Sequence, residues 1–129
     1  MEQVLPFLEG MFYIATTDGD QPHLRIFDAA GILDGHLYIG TKSNKQVYAQ
    51  IEKNPKVEIY VFSNELGLMR FTAEAKTVAD KELNQKAYES TGKTYDETSA
   101  AIELTNVRGS IKTKDGETVA LNFYDGQAS

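Results

Sequence analysis

The sequence predicts a mainly β chain with inserted helices, on three patterns. From Met11 onward, short stretches dense in β-branched and aromatic residues place apolar side chains at every second position. Turn pairs such as Asp18-Gly19, Asp34-Gly35 and Asp115-Gly116 separate these stretches. At two separate points, over residues 43–53 and after Asp80, the apolar period lengthens to about 3.6. Six or seven strands joined by such short turns pair mostly antiparallel, so the expected architecture is a barrel or closed sheet with two or three short helices at its ends.

Residues 1–8 are expected to form a short helix interrupted near Pro6. Residues 11–17 read as the first strand, 23–30 as the second, and 36–41, after the tight Asp34-Gly35 turn, as the third. In residues 43–53, Val47 and Ile51 lie one helical turn apart with Tyr48 beside them, and Asn54-Pro55 stops the helix because proline disfavours helical geometry in the residue before it. Alternation returns at 56–62, with Val57, Ile59 and Val61 on one face, and at 69–78, with Met69, Phe71, Ala73 and Ala75 on one face. Asp80 caps a second helix whose buried stripe is expected at Leu83 and Ala87, with Glu82 and Lys86 paired at i and i+4 and Gly92 as its end. Residues 102–112 and 118–123 form the last hairpin, and the seven Tyr and six Phe, spread at strand spacing, are expected in the core.

Composition narrows the functional classes. A chain of 129 residues, 41% apolar and 25% charged, suits one packed domain, and no repeat or linker divides it. The 13 Lys and Arg against 19 Asp and Glu give a formal charge of −6, which argues against nucleic acid as a partner because phosphate neutralisation needs clustered cations in excess. With no Cys there is no disulfide, thiolate nucleophile or Cys-ligated metal. No apolar run approaches the roughly 20 residues that span a bilayer, and the first ten residues lack the basic start of a signal peptide. A cytoplasmic protein without a membrane partner is expected.

The segment from Tyr38 to Tyr48 carries the most chemical information. Ser43 and Gln46 match a capping box, with Ser at the N-cap and Gln at N3. Lys42 and Lys45 nevertheless flank that helix start, where the free amides already carry partial positive charge and a cation costs about 0.3–1 kcal/mol. Free N–H groups, two ammonium groups and the hydroxyls of Thr41 and Ser43 together make an anion cradle, in which a phosphate reverses the sign of that cost. The alternative is that both lysines point into water. If the cradle holds, replacing both with Ala weakens anion binding by about 1–3 kcal/mol and leaves folding of the ligand-free protein nearly unchanged or improved.

Arg25 lies mid-strand, with His23 and Phe27 on its face and Leu24 and Ile26 on the other. It is either a solvated strand residue or a fork of donors for a phosphate or heteroaromatic ligand, and Arg70, between Met69 and Phe71, is open to the same two readings. His23 and His36 lack the carboxylate spacing of a metal site, and Asp18-Gly19-Asp20 lacks the rest of a calcium loop. No nucleophile elbow, phosphate-binding P-loop or dinucleotide fingerprint is present, so any redox chemistry falls to a cofactor.

Four stretches resemble one known family. Phe12-Tyr13-Ile14-Ala15-Thr16-Thr17-Asp18-Gly19-Asp20-Gln21-Pro22 is similar to an opening strand and turn, and His23-Leu24-Arg25-Ile26-Phe27 to the strand that follows. Leu37-Tyr38-Ile39-Gly40-Thr41 with Lys45, and Gln50-Ile51-Glu52-Lys53-Asn54-Pro55-Lys56-Val57-Glu58-Ile59, resemble a strand, a helix and an Asn-Pro-x-Val motif. Met69-Arg70-Phe71-Thr72-Ala73-Glu74-Ala75 is similar to the next strand. In this order they resemble the pyridoxamine 5′-phosphate oxidase-related FMN-binding proteins of split β-barrel fold, over about residues 3–123.

The resemblance implies a homodimer holding FMN at its interface. The flavin would lie along Arg25, Ile26 and Phe27 and along Ile39, Gly40 and Thr41, with its phosphate at Lys42, Ser43, Asn44 and Lys45 and a further contact from Arg70, supplied by the second subunit. Two departures stand out. Lys45-Gln46-Val47 occupies the place of a Ser-Arg-Lys run early in the phosphate-binding helix, and the chain shows no Arg-rich C-terminal segment, so vitamin B6 oxidation is not expected. The size is closer to small bacterial, nitroimidazole-reductase-like members. An FMN-dependent oxidoreductase passing electrons to a small oxidised acceptor is the first reading. Its alternatives are a flavin carrier or sensor without turnover, a related barrel using haem or deazaflavin, and a purely structural domain.

Overall fold

A computed structural model describes residues 2–124 and 127–128. The period-two segments become strands: β1 Phe12–Asp18, β2 Gln21–Phe27, β3 Ala30–Leu33, β4 His36–Lys42, β5 Lys56–Ser63, β6 Gly67–Thr77, β7 Ser99–Thr113, β8 Thr118–Tyr124 and the two-residue β9 Gln127–Ala128. Helix α1 spans Gln46–Lys53, α2 spans Lys81–Glu89, and a 3₁₀ turn at Leu5–Leu8 has its proline in the first turn, where the missing N–H costs nothing. Among the described residues no helix is long and apolar enough to cross a membrane.

Every pairing is antiparallel, in the order β2-β1-β5-β6-β7-β4-β3, with β8 on β7 and β9 on β8. Among the described residues this is nine strands against the six or seven expected, and β3 is the substantive addition. Its Gly31 breaks the alternation, and a Cβ there would fall 2.4 Å from the Ser90 carbonyl oxygen. The strand is therefore readable only from its neighbours.

β2 and β3 end the strand path on opposite sides, yet only Asp28 and Ala29 separate them in the chain. The sheet must curl until its first and last strands stand together, and that meeting place is not zipped into a ladder. The fold is a split β-barrel with inserted helices. β7 makes the curl possible: residues from Ser99 to Leu104 pair with β4, whereas residues from Val107 to Lys112 pair with β8. Between them β6 bulges near Ala73 and Asn106 takes a left-handed φ of 51°, which Asn tolerates better than most side chains.

The barrel interior is filled by Phe12, Ile14, Ile39, Ile59, Met69, Phe71, Ile102 and Leu104, closed by Val4, Phe7 and Leu8 and by Val47 and Ile51 of α1. A second cluster, Tyr38, Ala87, Tyr88 and Ala101, seats α2 on β4 and β7. Asp80 caps α2 as expected, accepting from the Leu83 N–H at 2.9 Å, and Glu82 pairs with Lys86 at 3.2 Å. Leu83, expected to be buried, is instead 40% exposed; Tyr88 takes its place beside Ala87, because Asn84 bonds the β7 backbone on that side of the helix. The aromatics also depart from the core expectation, since Tyr13 and Phe62 face outward from the sheet.

Candidate functional site

The unzipped seam of the barrel is a cleft of about 430 Å³. One wall is the end of β2, at Arg25, Ile26 and Phe27, with Asp28 and Ala29 beyond it. The other is the end of β4, at Gly40, Thr41 and Lys42, and the start of α1, at Lys45, Gln46 and Val47, closes one side. Tyr88 of α2 and Lys93 of the following loop complete the lining. Gly40 keeps the floor low: a Cβ there would sit 3.1 Å from the Tyr88 ring and 3.2 Å from the Ala29 methyl, tighter than ordinary contact.

Arg25 is half-buried rather than a freely solvated strand residue. Its Nη2 donates to Gln50 Oε1 at 2.8 Å, and Thr16 Oγ1 donates to the same oxygen at 2.9 Å. The guanidinium is thus held by a neutral amide, and its buried Nε has no hydrogen-bond partner among the described residues. A buried donor left unbonded costs on the order of 1–3 kcal/mol, which a ligand acceptor recovers. Gln50 could have been found from the sequence, since it lies at i+3 from Val47 on the apolar stripe of α1.

The cradle differs from the expected one. No Ser43–Gln46 capping box forms: α1 begins at Gln46, its N-cap is Lys45 in extended geometry, and no side chain bonds that cap. Ser43 is drawn into a turn instead, its N–H donating to the Thr98 carbonyl at 2.7 Å while the Lys45 N–H donates to the Lys42 carbonyl at 3.1 Å. The first-turn amides of α1 therefore lack a side-chain acceptor, which sharpens the anion-binding character of the helix start.

The two lysines have separate roles. Lys42 Nζ donates to Asp96 Oδ2 at 3.2 Å and Ser99 Oγ at 3.1 Å and lies 5.2 Å from the centre of the Tyr88 ring. Burial pulls its pKa down, but contacts with Asp96 and Tyr88 carry it above the ordinary lysine value. Asp96 is held well below the carboxylate range by the Thr98 hydroxyl, then by the Thr98 amide and Lys42. Lys45 is exposed and has no ion-pair partner among the described residues. Among the described lining residues, Arg25, Lys42, Lys45 and Lys93 face a single carboxylate, Asp28, in a chain of charge −6. The cleft thus gathers an excess of cations in a chain whose overall charge is acidic.

Seven of the eleven residues expected at a cofactor therefore line one cleft: Arg25, Ile26, Phe27, Gly40, Thr41, Lys42 and Lys45. Ile39 points into the core, and Ser43 and Asn44 form an exposed turn beside the cleft. Arg70 lies elsewhere, its guanidinium 5.1 Å from the Tyr60 ring centre, in a pocket with Tyr13, Leu24 and Glu58. Register places Ile26, Tyr13, Tyr60 and Arg70 in one row across β2, β1, β5 and β6. Asp28, Tyr88 and Lys93 gave no local signal, because two of them arrive from a helix and loop far along the chain. Among the described residues no three His, Cys, Asp or Glu side chains converge, and His36 is bonded to Glu103 at 2.6 Å.

The family model described as pyridoxamine 5′-phosphate oxidase matches residues 1–121. No curated protein matches the chain. A solved NimC/NimA family protein from Clostridium acetobutylicum is 32% identical, with a TM-score of 0.80, covering 93% of this chain and 90% of that one. General Stress Protein 26 from Bacillus anthracis, 20% identical, has a TM-score of 0.64 with 93% of this chain and 97% of that one covered. HupZ from Group A Streptococcus, 19% identical, has a TM-score of 0.64 with 84% and 90% covered. The last two are likenesses of fold alone. On the match over nearly its whole length, this chain belongs to the pyridoxamine 5′-phosphate oxidase family.

Proposed function

We propose that the chain is a cytoplasmic FMN-binding flavoprotein, an oxidoreductase that passes electrons to a small oxidised acceptor, and that it works as a homodimer with the flavin at its interface. The observation that carries this reading is Arg25: a buried guanidinium nitrogen without a partner among the described residues, in a cation-rich cleft next to a helix start with no side-chain cap. The residues fit the group. Lys45 and the first-turn amides of α1 suit its phosphate, and Arg25 suits an electron-rich edge of its ring system. Bound there, FMN supplies the redox chemistry that the chain's own side chains lack. Arg25 would donate a hydrogen bond where negative charge grows on reduction, while Gly40 and Phe27 present a low, apolar floor.

The outer face supports the dimer. Leu24, Ile26, Met11 and Phe62 are between 58% and 71% exposed, a patch that a second copy would cover. Arg70 lies three strand spacings, about 14 Å, from Ile26, too far to serve the cleft of its own chain. A two-fold axis near the middle of the row from Ile26 to Arg70 exchanges its ends and sets the partner's Arg70 beside Ile26, at the cleft mouth.

The test is a visible absorption spectrum of the purified protein, followed by chromatography of whatever a denaturant releases. Flavin bands and released FMN are expected. Bound flavin that reduces no acceptor would leave a carrier or sensor. A protein colourless even after incubation with FMN would overturn the reading and turn attention to haem and deazaflavin.

A further inference from the structure

One ion pair in the cleft plays no part in the reading above. Asp28, in the link from β2 to β3, and Lys93, in the loop after α2, both line the cleft, and Lys93 Nζ donates to Asp28 Oδ2 at 3.2 Å. The side chains are 43% and 62% exposed, so water screens the attraction and the pair is easily broken. The loop that carries Lys93 is fixed on both sides of it. Before it, the hydroxyls of Ser90 and Thr91 donate to the Ala87 and Tyr88 carbonyls. After it, Asp96 accepts from Thr98 and Lys42. Between these anchors Gly92 has a φ of +85° with open space around it, and Asp28 is the one ion-pair partner of Lys93 among the described residues.

The four cations of the cleft thus differ in kind. Lys42 is committed to Asp96, Ser99 and Tyr88, Arg25 is committed in part to Gln50, and Lys45 has no ion-pair partner among the described residues. Lys93 alone is held by a single exposed carboxylate inside the cleft itself. We propose that Lys93 is an exchangeable cation of the binding site. Asp28 holds it until an anion of the phosphomonoester class enters and takes it over, so Asp28 is a built-in competitor that lowers the affinity of the cleft. The inference rests on the proposed anion site but not on the anion being FMN.

The signs of two substitutions test it. Wild type, Asp28→Asn, Lys93→Ala and the double variant are titrated with inorganic phosphate, followed by the amide NMR shifts of Gly92 and Thr94, and separately with FMN by fluorescence quenching. Asp28→Asn is expected to tighten phosphate by about 3- to 10-fold and Lys93→Ala to weaken it by a similar factor, as for gain or loss of one charge-assisted contact. In the double variant the gain from Asp28→Asn should vanish to within about 2-fold, because its beneficiary is gone. Thermal midpoints should stay within about 2 °C of wild type, as for any exposed pair. No saturable phosphate shift, no tightening by Asp28→Asn, or an equal tightening without Lys93 would overturn the exchange. The phosphate pattern without FMN binding would leave the exchange standing and remove the FMN reading. Normal FMN binding, equal in all four proteins, with no phosphate pattern would do the reverse.

Discussion

The two faces of β2 invert the usual arrangement of a barrel strand. On the face turned toward α1 and the cleft, Arg25 is half-buried and holds Gln50; on the face turned to solvent, Leu24 and Ile26 are 71% and 58% exposed. Polar inside and apolar outside is costly in a strand that serves only its own core. It becomes favourable if the inner face meets a ligand that needs donors and the outer face meets a second protein surface. β5, two strands away, shows the ordinary case on its inner side, where Val57, Ile59 and Val61 are all buried. On the proposed reading, the pattern of β2 answers to what binds it.

Breaking the outer face gives the largest expected effect. If the proposed dimer forms on this face, Leu24→Arg places a charge in it twice, each time where a leucine buried by the partner would contribute about 1.5–3 kcal/mol. Dimer dissociation should strengthen by a factor of about 100 or more, read by sedimentation velocity across a concentration series, with the circular dichroism spectrum unchanged. An L24R dimer as tight as wild type would remove this face as the interface.

Breaking the inner face comes next. Arg25→Met keeps the bulk of the side chain and removes its donors, so FMN affinity should fall by about 10- to 100-fold, the loss of a charge-assisted hydrogen bond worth about 1.5–3 kcal/mol. The thermal midpoint should hold or rise, because an unbonded buried nitrogen is removed at the same time. Arg25→Lys should recover little, since an ammonium cannot keep both the Gln50 contact and a forked contact with a ligand. Fluorescence titration decides it: R25M binding FMN like wild type would return Arg25 to a structural role.

The lysines sharpen the comparison with smaller effects. Lys45→Ala should weaken FMN by about 3- to 10-fold with an unchanged thermal midpoint, because its ammonium has no ion-pair partner among the described residues. Lys42→Ala should lower the midpoint by a few degrees, about 2–5 °C, since it strips Asp96, Ser99 and the Tyr88 ring of one shared partner. The expectation that folding is indifferent to both lysines fails at Lys42 for that reason. Paired calorimetry and binding curves on the two single variants separate the roles.

How much of this was legible depends on the range of the forces involved. Period two and the Asp-Gly turns are local, so the strands from β4 to β8 stand close to where the alternation put them. Gly31 hid β3 because its reason for being glycine, the Ser90 carbonyl, lies far along the chain. The helix start was misplaced by two residues because Ser43 matched a local capping pattern while the distant Thr98 carbonyl claimed its N–H. In the cleft, the β2 and β4 contributions were legible as motifs. Tyr88, Lys93 and the committed state of Lys42 were not, since each depends on how α2 packs against β4 and β7. Arg70 was legible as unusual, but its neighbour in space is Tyr60 rather than the cleft.

The smallest expected effect concerns pH, and it tests whether the committed lysine stays committed. Asp96 is held below its ordinary value of 3.8, chiefly by the Thr98 hydroxyl, so its contribution to stability is present above the ordinary carboxylate range and is lost as pH falls through the lowered folded value. Lys42 is raised above 10.5, so its contribution is present below that value and is lost only as pH rises past it. Between pH 5 and 9, by this linkage, neither group changes charge and the pair should contribute a constant amount. The gap in thermal midpoint between wild type and Asp96→Asn should therefore be flat over that range and close only below about pH 4, where protonation of Asp96 begins to cost wild type what the variant has already lost. A gap that closes nearer neutrality would mean that Lys42 leaves Asp96 under ordinary conditions, and it would then join Lys93 among the cations free to follow a ligand.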